Sequence, residues 1–468
     1  MRICSILFWL ITTSYIHPLR GQDVKISGSG TGYAGTELKV FKLSDPVSKS
    51  MIPVERTLFD NEGRFSCTIP VKGTETIFFN AGIFSFYIYA SSGTAYEIKL
   101  PDLIRKTDEE EQNSFFNPVK VIPEVVNLPG DINNLIRTFD AEFDQVFNRV
   151  ADRILYNVKL DEIPFLVEKL NALSDIPGAT GYYRDFVTFR LIMLNLVARG
   201  EYPGRIEDSI MINSHFLPGN PAYIDLAEQM FTGYFKNLSG GLLAGSFKRA
   251  ISSSSLNDLK KVIMDDGIAS NQELLEYIII VNLYSAYYDG SVPGSNVLAL
   301  LSSVGTGGSS QFLKELAVKI KERILMLSVS TNPPEIKLPD INGRQYTLND
   351  FSDKFLLISF ARSDNSFSIA EYGILNTWLN RYREKLQVVT ILRDNDFRRA
   401  VSRMSDYGFS WIMLDGSSAD MLEYLYDVKL YPSFLLIDQA GLIVMRNCPF
   451  PSENLEALIG KISGKGLK

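Results

Sequence analysis

The stretch YDVKLYPSFLLIDQAGLIV, residues 426–444, decides how the last third of the chain is read. Phe434 to Ile437 is a short continuous apolar run, the kind of strand buried on both faces of an α/β sheet. Asp438-Gln439-Ala440-Gly441 has turn chemistry, and Leu442 to Met445 returns as a second strand, so the pair reads as a β-hairpin. Reading backwards, Ala419 to Tyr426 is helical in pattern, Trp411 to Leu414 extended, and Phe397 to Tyr407 helical. Leu386 to Leu392 and Phe355 to Phe360 are two more buried strands. Between them Ile369, Tyr372, Leu375, Leu379 and Tyr382 line one helix face. Asn332-Pro333-Pro334 ends the preceding helix, and residues 335–338 and 345–348 flank the turn Asp340 to Gly343 as a hairpin. Leu455 to Ile462 closes the chain as a helix. Strands alternating with helices predict a parallel sheet that ends in a hairpin.

This order, with PEIKLPDINGRQYTLNDFSDKFLLISFARS at 334–363 and the quoted stretch at 426–444, resembles the thioredoxin superfamily, specifically its TlpA-like branch of Gram-negative envelopes. The resemblance covers residues 332–468 and implies an α/β thioredoxin-like fold. It makes Pro432 the cis-proline and places Tyr431-Pro432 beside the start of the first long helix. The resemblance also implies a dithiol, Trp-Cys-x-x-Cys, at that helix start. Here Asp364 stands at the tryptophan position, Asn365 and Ser368 stand at the two cysteines, and Ser366-Phe367 lie between. Disulfide exchange needs a thiolate of lowered pKa to attack and a second thiol to resolve the mixed disulfide. An amide and an unactivated hydroxyl do neither. The expectation is therefore a redox-inactive domain in which Asp364, Asn365 and Ser368 cap a helix beginning near Ser368.

The rest of the chain divides by period. Val24–Ser27, Glu37–Leu43, Arg64–Val71, Thr76–Asn80, Phe84–Ala90 and Tyr96–Leu100 read as strands separated by turns, which predicts a β-sandwich over residues 22–104. Gly30-x-Gly32-x-x-Gly35 has the letters of a dinucleotide fingerprint, but the segment after it reads as a strand where that site requires a helix. Lys106 to Asn113 is a charged connection. Leu135, Phe139, Phe143, Val146, Val150 and Ile154 then recur at helical spacing, as do Tyr183, Phe186, Phe189, Ile192 and Leu196. Ser270-x-x-Glu273 has the form of a capping box. Residues 115–328 are expected to be all-α. Gly240-x4-Gly245 lacks the lysine of a phosphate loop.

Residues 1–21 read as an export signal: Arg2, an apolar run Ile3 to Ile16, and a cleavage site before Gln22. The expected location is the periplasm or envelope, with no membrane span. The formal net charge is −7, and losing Arg2 and Arg20 would make it more negative, which argues against nucleic acid as partner. Beyond the signal the chain has two cysteines, Cys67 and Cys448, and one histidine, His215. That inventory cannot build the usual Cys/His zinc site, and any Ser-His-Asp site would need His215. No cofactor is expected.

Three readings of function remain. One is a redox-inactive envelope protein that binds a peptide, protein or small ligand, with exposed Phe367 and Tyr431 as aromatic anchors beside the cis-proline. Alternatively those two rings pack on each other and cover a disused site. The second is a monothiol oxidoreductase using Cys448 or Cys67, and the third a scaffold whose helical region does the binding.

Overall fold

A computed structural model of the chain describes residues 23–107, 109–110, 113, 116–156, 163–199, 215–267 and 271–465. The expected export signal, residues 1–21, lies outside them, as does Ser270 of the expected capping box.

The first part contains two sheets that share one core. Strands β1 (Asp23–Ser29), β2 (Glu37–Leu43), β3 (Met51–Leu58), β4 (Arg64–Pro70), β5 (Thr74–Ala81), β6 (Phe84–Ser91), β7 (Ala95–Lys99), β8 (Val119–Val121) and β9 (Glu124–Val125) form them. One sheet has the order β4-β1-β7-β9 and the other β3-β2-β5-β6-β8. Strict alternation in β4, with Phe65, Cys67 and Ile69 inward, and in its neighbour β1 supplies one inner face of that core, and Leu38, Val40, Ile77 and Phe79 of β2 and β5 supply the other. Gly32 and Gly35 sit at positive φ in the turn between β1 and β2, and a strand follows them. No helix opens there to receive a pyrophosphate.

Strands β8 and β9 lie beyond residue 104 and add an edge to each sheet. Helix α1 (Ile132–Tyr156) begins just after them and fastens both sheets with neighbouring asparagines. Asn133 Oδ1 accepts from Tyr89 N at 2.7 Å while its Nδ2 donates to Tyr89 O at 3.1 Å. Asn134 holds Val125 N and O in the same way, at 3.0 and 2.8 Å.

Helices α2 (Ile163–Asn171), α3 (Gly181–Arg199), α4 (Pro221–Phe231), α5 (Tyr234–Gly240), α6 (Ala244–Ser252), α7 (Leu256–Asp265), α8 (Gln272–Asp289), α9 (Gly294–Gly307) and α10 (Gln311–Met326) follow. Apolar residues of α8 from Leu274 to Leu283 are buried on every side, as befits a helix at the centre of a bundle. Its N-cap is Asn271, whose side chain accepts from Glu273 N and Leu274 N. The expected cap at Ser270 is thus corrected by one residue: the Asn271 carbonyl reaches both free amides. Phe139, Phe143, Tyr183, Phe186 and Phe189 are core residues.

The last part is an α/β unit. A hairpin of β10 (Lys337–Pro339) and β11 (Gln345–Thr347) precedes β12 (Phe355–Ala361), α11 (Ser366–Leu379), β13 (Leu386–Leu392), α12 (Phe397–Asp406), β14 (Ile412–Asp415), α13 (Asp420–Leu425), β15 (Ser433–Ile437), β16 (Ile443–Met445) and α14 (Leu455–Lys465). The sheet order is β14-β13-β12-β15-β16, with β12, β13 and β14 parallel and β15 and β16 antiparallel. Alternate residues of β12 serve opposite faces. Leu357 and Ala361 join the layer of α11, α12 and α14, whereas Leu356, Ile358 and Phe360 join the layer of α13 and the hairpin. Among the described residues no helix is long and apolar enough to cross a membrane.

Candidate functional site

The end of β12 and the start of β15 meet at one end of the last sheet's interior strands, because Phe360 pairs with Ser433. The sheet therefore brings together Arg362 to Asn365, which lead into α11, and the cis peptide Tyr431-Pro432, which leads into β15.

Asn365 is the N-cap of α11, and its Oδ1 accepts from Ser368 N at 2.8 Å. An amide cap serves one of the helix's unpaired N–H groups, so the helix starts at Ser366, two residues earlier than expected. Ser368 is fully buried, and its hydroxyl has no hydrogen-bond partner among the described residues. Asp364 is paired with Arg362 at 2.8 Å; burial pushes its carboxyl up, but that guanidinium prevails and holds it below the ordinary range. Neighbouring Ser363 is tied to Asp394, which accepts from Ser363 N at 2.9 Å and from its hydroxyl at 2.7 Å. Burial still pushes the Asp394 carboxyl up against those hydrogen bonds.

Phe367 is 44% exposed and stands edge-on to Phe450, with ring centroids 5.0 Å apart. Tyr431 is half-buried among Leu422, Tyr426 and their neighbours, and its hydroxyl donates to Glu423. This corrects the expectation of an exposed Tyr431: a phenol beside a carboxylate gains more from that hydrogen bond than from facing water. Nor is Tyr431 the ring partner of Phe367, since Phe450 takes that place. Ser366 is exposed and Pro432 buried.

A residue not singled out from sequence proves central here. Arg393, at the end of β13, has a side chain only 3% exposed. Its Nε donates to Glu423 at 2.8 Å and its Nη2 to Asp420 at 2.7 Å. Glu423 thereby links Arg393 to Tyr431. The tail of an apolar strand gave no sign of it, because its partners lie on a helix about thirty residues away.

The thiols lie elsewhere. Cys67 and Cys448 are both free and buried, and burial pushes each up to about 12. Cys448 Sγ faces Met445 O at 3.6 Å. His215 is exposed, next to Phe216 in the helical core. No cluster of three or more potential metal ligands occurs among the described residues.

No protein-family model matches this chain, and no curated protein matches it. Solved structures do. A thiol:disulfide interchange protein from a Bacteroides species is 19% identical, with a TM-score of 0.27 over 29% of this chain and 90% of its own. The thioredoxin domain of a thiol-disulfide oxidoreductase from Bacteroides vulgatus is 20% identical, with a TM-score of 0.26 over 29% and 99%. A thiol-disulfide oxidoreductase from Bacteroides fragilis is 21% identical, with a TM-score of 0.25 over 29% and 99%. These neighbours have a thioredoxin-like fold and match only part of this chain.

Proposed function

We propose that this chain is an exported, redox-inactive protein whose thioredoxin-like domain works in the cell envelope as a binding or scaffold module for a protein or peptide. The observation that carries this reading is Asn365. At the place where the resemblance puts an attacking thiol, an amide is engaged in capping α11 and gives its oxygen to Ser368 N. A carboxamide cannot form a mixed disulfide, and the buried Ser368 hydroxyl cannot resolve one.

The monothiol alternative is disfavoured by Cys448 and Cys67, since a buried thiol pushed up to about 12 supplies almost no thiolate at neutral pH. The surface offered to a partner is the end of the sheet that carries the exposed Phe367 at the start of α11 and the cis-proline loop ahead of β15. That loop's backbone would pair with an extended peptide by strand addition.

The test is an insulin-reduction assay on the full chain with dithiothreitol as electron donor. Turnover at background level is expected. Turnover above background that is abolished by Cys448→Ala would replace this reading with the monothiol one.

A further inference from the structure

The segment from Ser417 to Pro432 carries the cis-proline loop and has little of its own to hold it in place. Helix α13 within it is six residues long, and its N-cap Ala419 makes no side-chain hydrogen bond. An isolated helix so short is not stable in water. Its first turn carries Asp420 and Glu423, two carboxylates three positions apart that repel one another. What steadies the helix comes from outside it.

The β-sandwich supplies two cations. Lys39 of β2 and Arg56 of β3 both pair with Asp420. Arg56 also donates from Nη2 to Ser417 O at 3.0 Å, so its fork clasps the backbone ahead of α13 as well as the carboxylate within it. Glu37 steadies the same guanidinium from within the sandwich, at 3.1 Å from Nη1. Further along the segment, Arg323 of α10 donates to Tyr424 O at 2.6 Å.

This hold is passed on to the loop. Arg393 shares Asp420 with the two sandwich cations and donates from Nε to Glu423. Glu423 then holds the loop at two points. Its carbonyl accepts from Val428 N at 2.9 Å, and its carboxylate accepts from the Tyr431 hydroxyl. Tyr431 is joined to Pro432 by the cis peptide. Lys39, Arg56 and Arg393 balance Glu37, Asp420 and Glu423 within one connected set. Without Lys39 and Arg56, the single guanidinium of Arg393 would face two carboxylates on α13 and could not hold both as firmly.

We infer that the β-sandwich is a positioning element for the cis-proline loop, with Lys39 and Arg56 acting through Asp420, Arg393 and Glu423 on Tyr431. This deepens the binding function proposed for that loop and rests on it. The test is hydrogen–deuterium exchange of the full chain, read by mass spectrometry. Exchange needs no partner, so its failure is distinct from failure of the binding reading, which partner capture decides. In Lys39→Met/Arg56→Met the amides of residues 428–433 should exchange at least roughly fivefold faster, as for members of one ion-pair network. Those of β12 and β13 should keep their wild-type rates, which a general loss of stability would not allow. Arg64→Gln, which removes sandwich ion pairs to Asp60 and Glu62 only, should leave the loop unchanged. Arg56→Lys with Lys39 kept retains both charges and should stay close to wild type. Arg56→Gln alone is the deciding variant should the double variant unfold. Loop rates unchanged in the folded variant, or raised no more than those of β12 and β13, would overturn the inference.

Discussion

Arg56 and Asp420 are 364 residues apart in sequence and form an ion pair, Arg56 Nη2 lying 2.5 Å from Asp420 Oδ2. Lys39 reaches the other oxygen at 2.8 Å, and Arg393 meets that same oxygen at 2.7 Å. One carboxylate thus gathers two cations from the β-sandwich and one from the end of β13. Burial pushes Asp420 up, but the hydrogen bonds from Lys39, Arg56 and Arg393 outweigh it and lower the carboxyl to about 2.

Asp420 lies below its ordinary carboxyl pKa in the fold, so its contribution is complete at neutral pH. It is lost as pH falls from about 4 through about 2. Asp420→Asn should cost about 2 kcal/mol at pH 7 and much less at pH 2.5, because each tenfold gain in a carboxyl's acidity on folding corresponds to ~1.4 kcal/mol. Thermal unfolding at the two pH values checks this. An equal cost at both would mean that the side chain contributes by packing and not by charge.

Native thiol reactivity should be nearly nil. With both thiols pushed up to about 12, a disulfide reagent at pH 8 should react slowly with the folded protein and rapidly once guanidinium unfolds it. Fast stoichiometric reaction of one thiol under native conditions would identify an accessible cysteine.

Asn365→Ala removes the cap of α11 and should destabilise by about 1 kcal/mol, whereas Asn365→Asp, also a good cap, should be close to neutral. Chemical denaturation of the two variants distinguishes them. If both lose equally, the amide nitrogen, and not the capping oxygen, is what matters.

Phe367 and Tyr431 should separate on substitution. Phe367→Ala should weaken capture of an envelope partner by about 1–2 kcal/mol with little effect on stability, since its ring is 44% exposed. Tyr431→Ala should lower stability, because its ring is half-buried and Glu423 loses a donor. Capture assays run beside melting curves give both quantities. Capture insensitive to Phe367→Ala would move the binding surface away from this end of the sheet.

The legible parts of the molecule were those written in local periodicity and turn chemistry. The apolar runs that became β12, β13 and β15 were clear because strands buried on both faces admit little else. Strand β3 was missed because Pro53 interrupts it. It forms an edge of its sheet, where proline is tolerated, and the register against β2 shifts beside that proline. Strands β8 and β9 are only three and two residues long and leave almost no pattern. At the candidate site the capping role of Asn365 was legible from its residue type just before a helix. The turn of Tyr431 toward Glu423 was not, nor was the burial of Arg393, because both depend on α13 packing across the sheet.

Asn133 and Asn134 give the first part of the chain an order of assembly. With only residues 23–99 folded, β6 and β7 would still expose unpaired edges, inviting strand exchange with a neighbouring chain. Only when β8, β9 and the first turn of α1 are in place can the two asparagines reach Tyr89 and Val125 and cover the β6 and β7 sides of the two sheets. A fragment cut at residue 104 should therefore be prone to aggregate, whereas one extended past the first turns of α1 carries its own seal.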